Sequence, residues 1–124
     1  MARYDLTPTA LGHMREVAVA GRERWGEARG FQYLEALYDS FQHVADRHHA
    51  LPKRTRLTGA SRIQLHRVGS HYIAFVVLTP DFVAITSILH ERMDVSTRLR
   101  ELQARTDEEI GNIRAAYLRS LFKD

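Results

Sequence analysis

Groups able to act on phosphate gather at one point of this chain, in the run Ile88-Leu89-His90-Glu91-Arg92-Met93-Asp94. His90 brings an imidazole, the side-chain type suited to proton transfer near neutral pH. Arg92 beside it, and Arg62 earlier in the chain, can each stabilise charge on phosphate oxygens. A second concentration lies between Arg47 and Arg67, where Lys53, Arg54, Arg56 and Arg62 stand among three histidines without one carboxylate. Such a block suits an acidic partner, either nucleic acid or a negatively charged protein segment. It lacks the interleaved aromatics of a strand-binding groove, so a solvated basic loop explains it equally well.

Each of these residues also has a plainer role. His90 can hydrogen-bond across a sheet end, Asp94 can cap a helix, and His71 can be a satisfied structural histidine. Met93 and Trp25 have the character of core residues. The neighbours His48 and His49 cannot readily share one metal ion from a helix end, and nothing near them completes a site. Neither a metal nor a cofactor is expected.

The elements that must position these groups can be read from patterning. Arg3-Tyr4-Asp5-Leu6 alternates like a short strand, and Thr7-Pro8 starts a helix with an N-cap and a proline at the first turn. Leu11, Met14, Val17, Ala18 and Trp25 fall near one side of that helix, Gly12 and Gly21 weaken it, and Gly26 ends it. From Glu27 to Arg47, Phe31, Leu34, Leu37, Tyr38, Phe41, Val44 and Ala45 recur at helical spacing, giving a helical hairpin. Three strands follow, over 61–68, 71–78 and 82–89, with Gly69-Ser70 and Thr79-Pro80-Asp81 as turns. Turns this short imply an antiparallel meander. The sum is an α+β layout with the helices on one face of a single sheet.

Beyond the sheet, Asp94 caps a short helix holding Val95, Leu99 and Leu102. Thr106-Asp107-Glu108-Glu109 has the form of a capping box opening a separate last helix. Ile110, Ile113, Tyr117 and Leu121 share one side of it, a stripe suited to its own domain, a partner or a homodimer. Residues 1–104 are thus read as the main domain and 105–124 as an added amphipathic helix.

With 124 residues, one modest core is expected. The formal net charge is +3, and the absence of cysteine excludes disulfides, thiolate zinc sites and a cysteine nucleophile. No apolar run reaches the roughly 20 residues that a membrane helix needs, and no signal peptide is evident. The expectation is a cytoplasmic protein without a membrane partner.

An ordered set of residues gives a family resemblance. It runs through Tyr4-x-Leu6-Thr7-x-x-Ala10, Trp25-Gly26, Tyr33, Leu37, Arg62 and His71-Tyr72-Ile73, and ends with Ile88-Leu89-His90-x-Arg92-Met93-Asp94 and Leu99. The chain resembles ParE-type toxins of the RelE/ParE toxin–antitoxin superfamily. That resemblance implies an N-terminal strand, a helical hairpin and a three-stranded meander joined in one sheet. It also implies inhibition of DNA gyrase by trapping the cleaved gyrase–DNA complex, with neutralisation by a ParD-like antitoxin. Lys53, Arg54, Arg56, Arg62, His90 and Arg92 are then the candidate contacts to gyrase or antitoxin.

RelE-type members of the superfamily instead cut messenger RNA on the ribosome. Arg62, His90 and Arg92 would be the catalytic groups in that case, although the tyrosine common after the last strand in such relatives is missing. A third reading is an inactive member serving as a binding module. The chain departs from the pattern at His13, where relatives carry Asp or Glu, and at Ala20-Gly21, where Tyr-Thr is usual. Relatives also usually stop soon after the helix containing Leu99, so the resemblance says nothing about 105–124.

Overall fold

The computed structural model describes residues 2–59 and 61–123. In chain order the elements are β1 (Arg3–Leu6), α1 (Pro8–Trp25), α2 (Glu27–Arg47), a 3-10 turn (His48–Ala50) and α3 (Thr55–Thr58). They continue with β2 (Gln64–Val68), β3 (His71–Thr79), β4 (Phe82–His90) and α4 (Val95–Ser120). The four strands form one sheet in the order β1-β4-β3-β2. β2, β3 and β4 make the expected antiparallel meander, and β1 lies parallel to β4.

α1 and α2 cover one face of this sheet. Thr7 caps α1 as expected: its Oγ1 accepts from the Ala10 N–H at 3.1 Å and donates to the Thr86 carbonyl at 3.1 Å. The apolar side of α2 packs Leu37, Phe41, Val44 and Ala45 against Ile73, Phe75, Val83 and Ile85. The two helices touch at Gly21 and Gly30, where a Cβ on Gly30 would stand 2.9 Å from the Arg22 nitrogen. Gly21 is therefore part of a helix contact as well as a weak spot in its own helix.

Every residue from Phe82 to Leu89 is buried, without alternation. A strand of this kind must be covered on both faces. α4 supplies the second cover, contributing Val95, Leu99, Leu102 and Ile110 against Leu65, Ala74, Val76, Ala84 and Leu89. The expectation of helices on a single sheet face is therefore corrected. A bulge lets β4 serve both layers: its register against β3 shifts between Ile85 and Ser87, which brings Ile88 back to the face of Val83 and Ile85.

A second correction concerns the C-terminal segment. The short helix after Asp94 and the helix foreseen from Thr106 are one continuous helix. Asp94 caps it, accepting from the Thr97 N–H at 3.2 Å. Thr106 caps nothing and is buried in line with Leu102 and Ile110, continuing the spacing of three and four set by Val95 and Leu99. No glycine or proline precedes Thr106 in the helix, so nothing there stops it. Glu109, foreseen as the return half of a capping box, accepts instead from the Thr9 N–H, its oxygens at 3.2 and 3.4 Å. A carboxylate there answers one of the free donors in the first turn of α1 and opposes the positive end of that helix.

Some residues foreseen in the core are elsewhere. Leu11, Phe31, Tyr38 and Met93 are largely exposed, and Trp25 is partly so. The stripe foreseen as a homodimer face is mostly occupied within the chain: Ile110 is buried, Ile113 packs on the second core and Tyr117 lies against Phe82 with ring centres 5.3 Å apart. Leu121 follows the helix and is exposed. Among the described residues, no helix is long and apolar enough to cross a membrane.

Candidate functional site

The last residue of β4 is His90, paired across the sheet with His71, the first residue of β3. Their rings meet edge to face with centres 5.0 Å apart. Glu91 follows the strand, and its N–H donates to the Ser70 carbonyl at 2.8 Å, tying the strand end to the β2–β3 turn. His90 Nδ1 accepts from the Arg92 N–H at 3.0 Å, which fixes the ring locally rather than across the sheet. Since that nitrogen accepts, the proton of the neutral ring sits on Nε2.

Tyr33 of α2 holds the other half of this arrangement. Its hydroxyl lies 2.6 Å from His71 Nδ1 and 3.3 Å from the Val68 carbonyl, and it accepts from the Ser70 N–H at 3.0 Å. The hydroxyl donates its one proton to the Val68 carbonyl, so His71 Nδ1–H donates to the hydroxyl and His71 Nε2 of the neutral ring carries no proton. Burial, with the neighbouring His90 adding to it, pushes His71 down to about 4, and the ring is neutral at physiological pH. Gly69 sits under the tyrosine with φ 56°, where a Cβ would come within 2.8 Å of the Tyr33 ring. Only glycine fits that turn.

α1 closes the other side. Trp25 packs on Tyr33, centre to centre 5.3 Å, and the Arg24 guanidinium stands 5.8 Å from the indole ring centre. The result is a cleft of about 180 Å³ lined by Val17, Ala20, Gly21, Arg24, Trp25, Tyr33 and the stretch from His90 to Arg92. Ala20 and Gly21 bring no bulk into it. His90 and Arg92 were legible as candidates in the sequence, whereas the participation of Arg24 and Tyr33 was not. Tyr33 entered the sequence reading only as one of the residues that carry the family resemblance.

Arg62 is not part of this cleft. It lines a second, larger one of about 810 Å³ between α3 and α4, together with Arg56, Arg100 and Asp107. There its guanidinium is 3.5 Å from the Asp107 carboxylate, with both side chains more than half exposed. The three residues named for RNA cleavage are thus divided between two clefts. The basic block is also less free than its sequence suggests. Arg67 pairs with Glu91, and the Arg54 guanidinium lies 5.5 Å from the ring centre of Tyr72. Lys53 and Arg56 remain exposed.

His13, one of the departures from the family pattern, does structural work. Its Nδ1 accepts from the Ile88 N–H at 3.1 Å, on the edge of β4 beyond the end of β1. Burial is the main cause lowering its pKa, which keeps the ring neutral and able to accept.

The chain was compared with proteins of known sequence and structure. No family model matches it. A chain from a chromosomal ParDE TA system of P. aeruginosa superposes with a TM-score of 0.61 at 10% identity, covering 73% of this chain and 96% of that one. At that identity the likeness establishes the fold. Toxin ParE of Escherichia coli is 29% identical over 101 residues, which are 82% of this chain and 96% of that protein. Toxin ParE1 from two strains of Mycobacterium tuberculosis is 33% identical over 100 residues, 79% of this chain and 98% of the relative. Identity at this level across nearly the whole of a relative, on a shared fold, means that the chain belongs to the ParE family of toxins.

Proposed function

We propose that this protein is the toxin of a type II toxin–antitoxin module, acting in the cytoplasm. In this reading it arrests growth by trapping DNA gyrase on cleaved DNA, and a ParD-like antitoxin neutralises it. Membership in the ParE family is the observation that carries the proposal. A gyrase poison needs contact surfaces and no catalytic group of its own. Consistent with this, Arg62 lies apart from His90 and Arg92, so a ribonuclease built on those three residues has no common centre for the scissile phosphate.

The antitoxin segment would be acidic and partly apolar, ordered on binding. Lys53, Arg54, Arg56 and Arg62 supply the basic side of its surface, and the exposed Phe31 and Tyr38 of α2 offer apolar contacts. His90 and Arg92 are the remaining contact candidates, for gyrase.

A cleavage assay with purified protein, gyrase, plasmid and ATP tests the target. Linear plasmid that accumulates only when gyrase is present is the expected result. A folded protein that leaves the plasmid intact would sink the gyrase reading, and ribosome-dependent cleavage of messenger RNA would then be assayed. Charge reversal at Arg54, Arg56 and Arg62 together is expected to weaken antitoxin binding, most strongly at low salt.

A further inference from the structure

The cleft at the end of β4, of which the toxin reading uses only His90 and Arg92 as contacts, has a binding chemistry of its own. Counting its polar groups by what each has left to offer gives an unbalanced result. His90 spends Nδ1 on the Arg92 N–H, which leaves it an Nε2–H donor, while His71 spends its Nδ1–H on the Tyr33 hydroxyl. Arg24 and Arg92 add two guanidinium groups, which can only donate. The Tyr33 hydroxyl is already engaged by His71, Val68 and Ser70. The one carboxylate in the lining, Glu91, is held by Arg67.

Beside the neutral His71 Nε2, what remains is a set of donors with two positive charges and no free counter-charge within the cleft. That inventory favours an anion, and a doubly charged tetrahedral one best of all. A second property concerns shape. Trp25 lines the same cleft yet stays 36% exposed, so a flat apolar surface adjoins the donors. At roughly 30 Å³ per water, the space of about 180 Å³ holds about six waters. It admits a phosphate with part of an attached ring and is too small for a folded polypeptide segment.

We propose that this cleft is a binding site for a 5′-nucleotide. The phosphate is held by Arg24, Arg92 and the His90 Nε2–H group, and the base lies against Trp25. The inference goes beyond gyrase inhibition and does not depend on it, because the site requires neither gyrase nor an antitoxin to form.

The test is direct, because Trp25 is the sole tryptophan of the chain. The full-length protein is titrated with adenosine 5′-monophosphate, inorganic phosphate and adenosine, and its intrinsic fluorescence is followed. The expected result is a saturable change with the nucleotide, a weaker response to phosphate and none to adenosine. Arg24→Gln and Arg92→Gln should each weaken nucleotide binding by about tenfold or more. Arg114→Gln, on the exposed side of α4, should leave it unchanged. Arg24 and Arg92 are both exposed, so their variants are expected to fold, and circular dichroism checks this.

The proposal is overturned if no saturable change occurs with the nucleotide or with phosphate. It is also overturned if binding survives in the Arg24→Gln, Arg92→Gln double variant. Equal affinity for phosphate and nucleotide would remove the base from the assignment. An acidic peptide that moves Trp25 fluorescence where the nucleotide does not would give the cleft to a protein partner instead.

Discussion

The two faces of the sheet are covered by different means. On the hairpin side, Leu37, Phe41 and Val44 meet Ile73, Phe75 and Ile85, and all six are wholly buried. On the α4 side, Ile63, Leu99 and Leu102 each keep 8% of their surface, and a cleft of about 810 Å³ opens between α3 and α4. The first face is a closed core made by two helices that also pack on one another. The second is a single helix laid across Leu65, Ala74, Val76, Ala84 and Leu89, with arginines along its rim. Cuts into the hairpin side are therefore expected to cost more than cuts into the α4 side.

The sharpest way to break that contrast is to cut one large side chain from each face. Phe41→Ala should lower unfolding free energy by about 3–5 kcal/mol, because neighbours wholly out of water cannot collapse into the space. Ile110→Ala should cost about 2 kcal/mol, the low end for a buried isoleucine, since its own helix has room to settle onto the sheet. Urea unfolding of both variants measures the difference. Equal costs would mean that the open cleft does not soften the second face.

A pH effect ranks next, and it belongs to the hairpin side and the end of the sheet. His71 drops from an ordinary 6.5 to about 4, and burial also lowers His13 and His66. Each is held neutral in the fold, so the unfolded chain binds more protons below about 6.5. Stability is then complete above that pH and falls as the pH drops toward about 4. Partial exposure of these rings moderates the size of the fall. Urea midpoints across this range should show the decline, and His71→Asn should make it shallower. A decline that is the same in the variant would take His71 out of the explanation.

Glu109 joins the two faces, because it reaches from α4 to the start of α1. Glu109→Gln keeps an acceptor but removes the charge at the helix end, and should cost about 0.5–1 kcal/mol. Amide exchange at Thr9 should quicken with it. Unchanged exchange there would mean that α4 lies over α1 without holding it.

The same contrast separates what could be read in the sequence from what could not. The strands, the hairpin and the Thr7 cap are set by local alternation, helical spacing and turn residues, so they were legible. The mostly apolar, β-branched run from Phe82 to Leu89, broken only by Thr86 and Ser87, also carried the signal for cover on two faces, but no helix was evident to supply the second. That helix was concealed by Thr106, whose place in the stripe mattered more than its capping type. Pairings that depend on the third dimension left no local trace. These include Tyr33 with His71, His13 with the edge of β4, and Glu109 with Thr9. His90 and Arg92 stood out because they end an apolar strand, whereas Arg24 sits among other charges of an exposed helix surface.

The smallest expected effect bears on what the open face is for. Arg62 and Asp107 are 3.5 Å apart with both side chains more than half exposed, so Asp107→Asn should change stability by less than about 0.5 kcal/mol. Its effect on binding should be larger in proportion. Removing the carboxylate frees Arg62 and leaves the cleft's arginines, Arg56, Arg62 and Arg100, without an acid between them. If an acidic antitoxin segment docks there, the variant should bind it more tightly, and the gain should shrink as salt is raised. Calorimetric titration at two salt concentrations measures both. An unchanged or weaker affinity would mean that Asp107 does not compete for Arg62, and would move the basic side of the antitoxin surface toward Lys53 and Arg54.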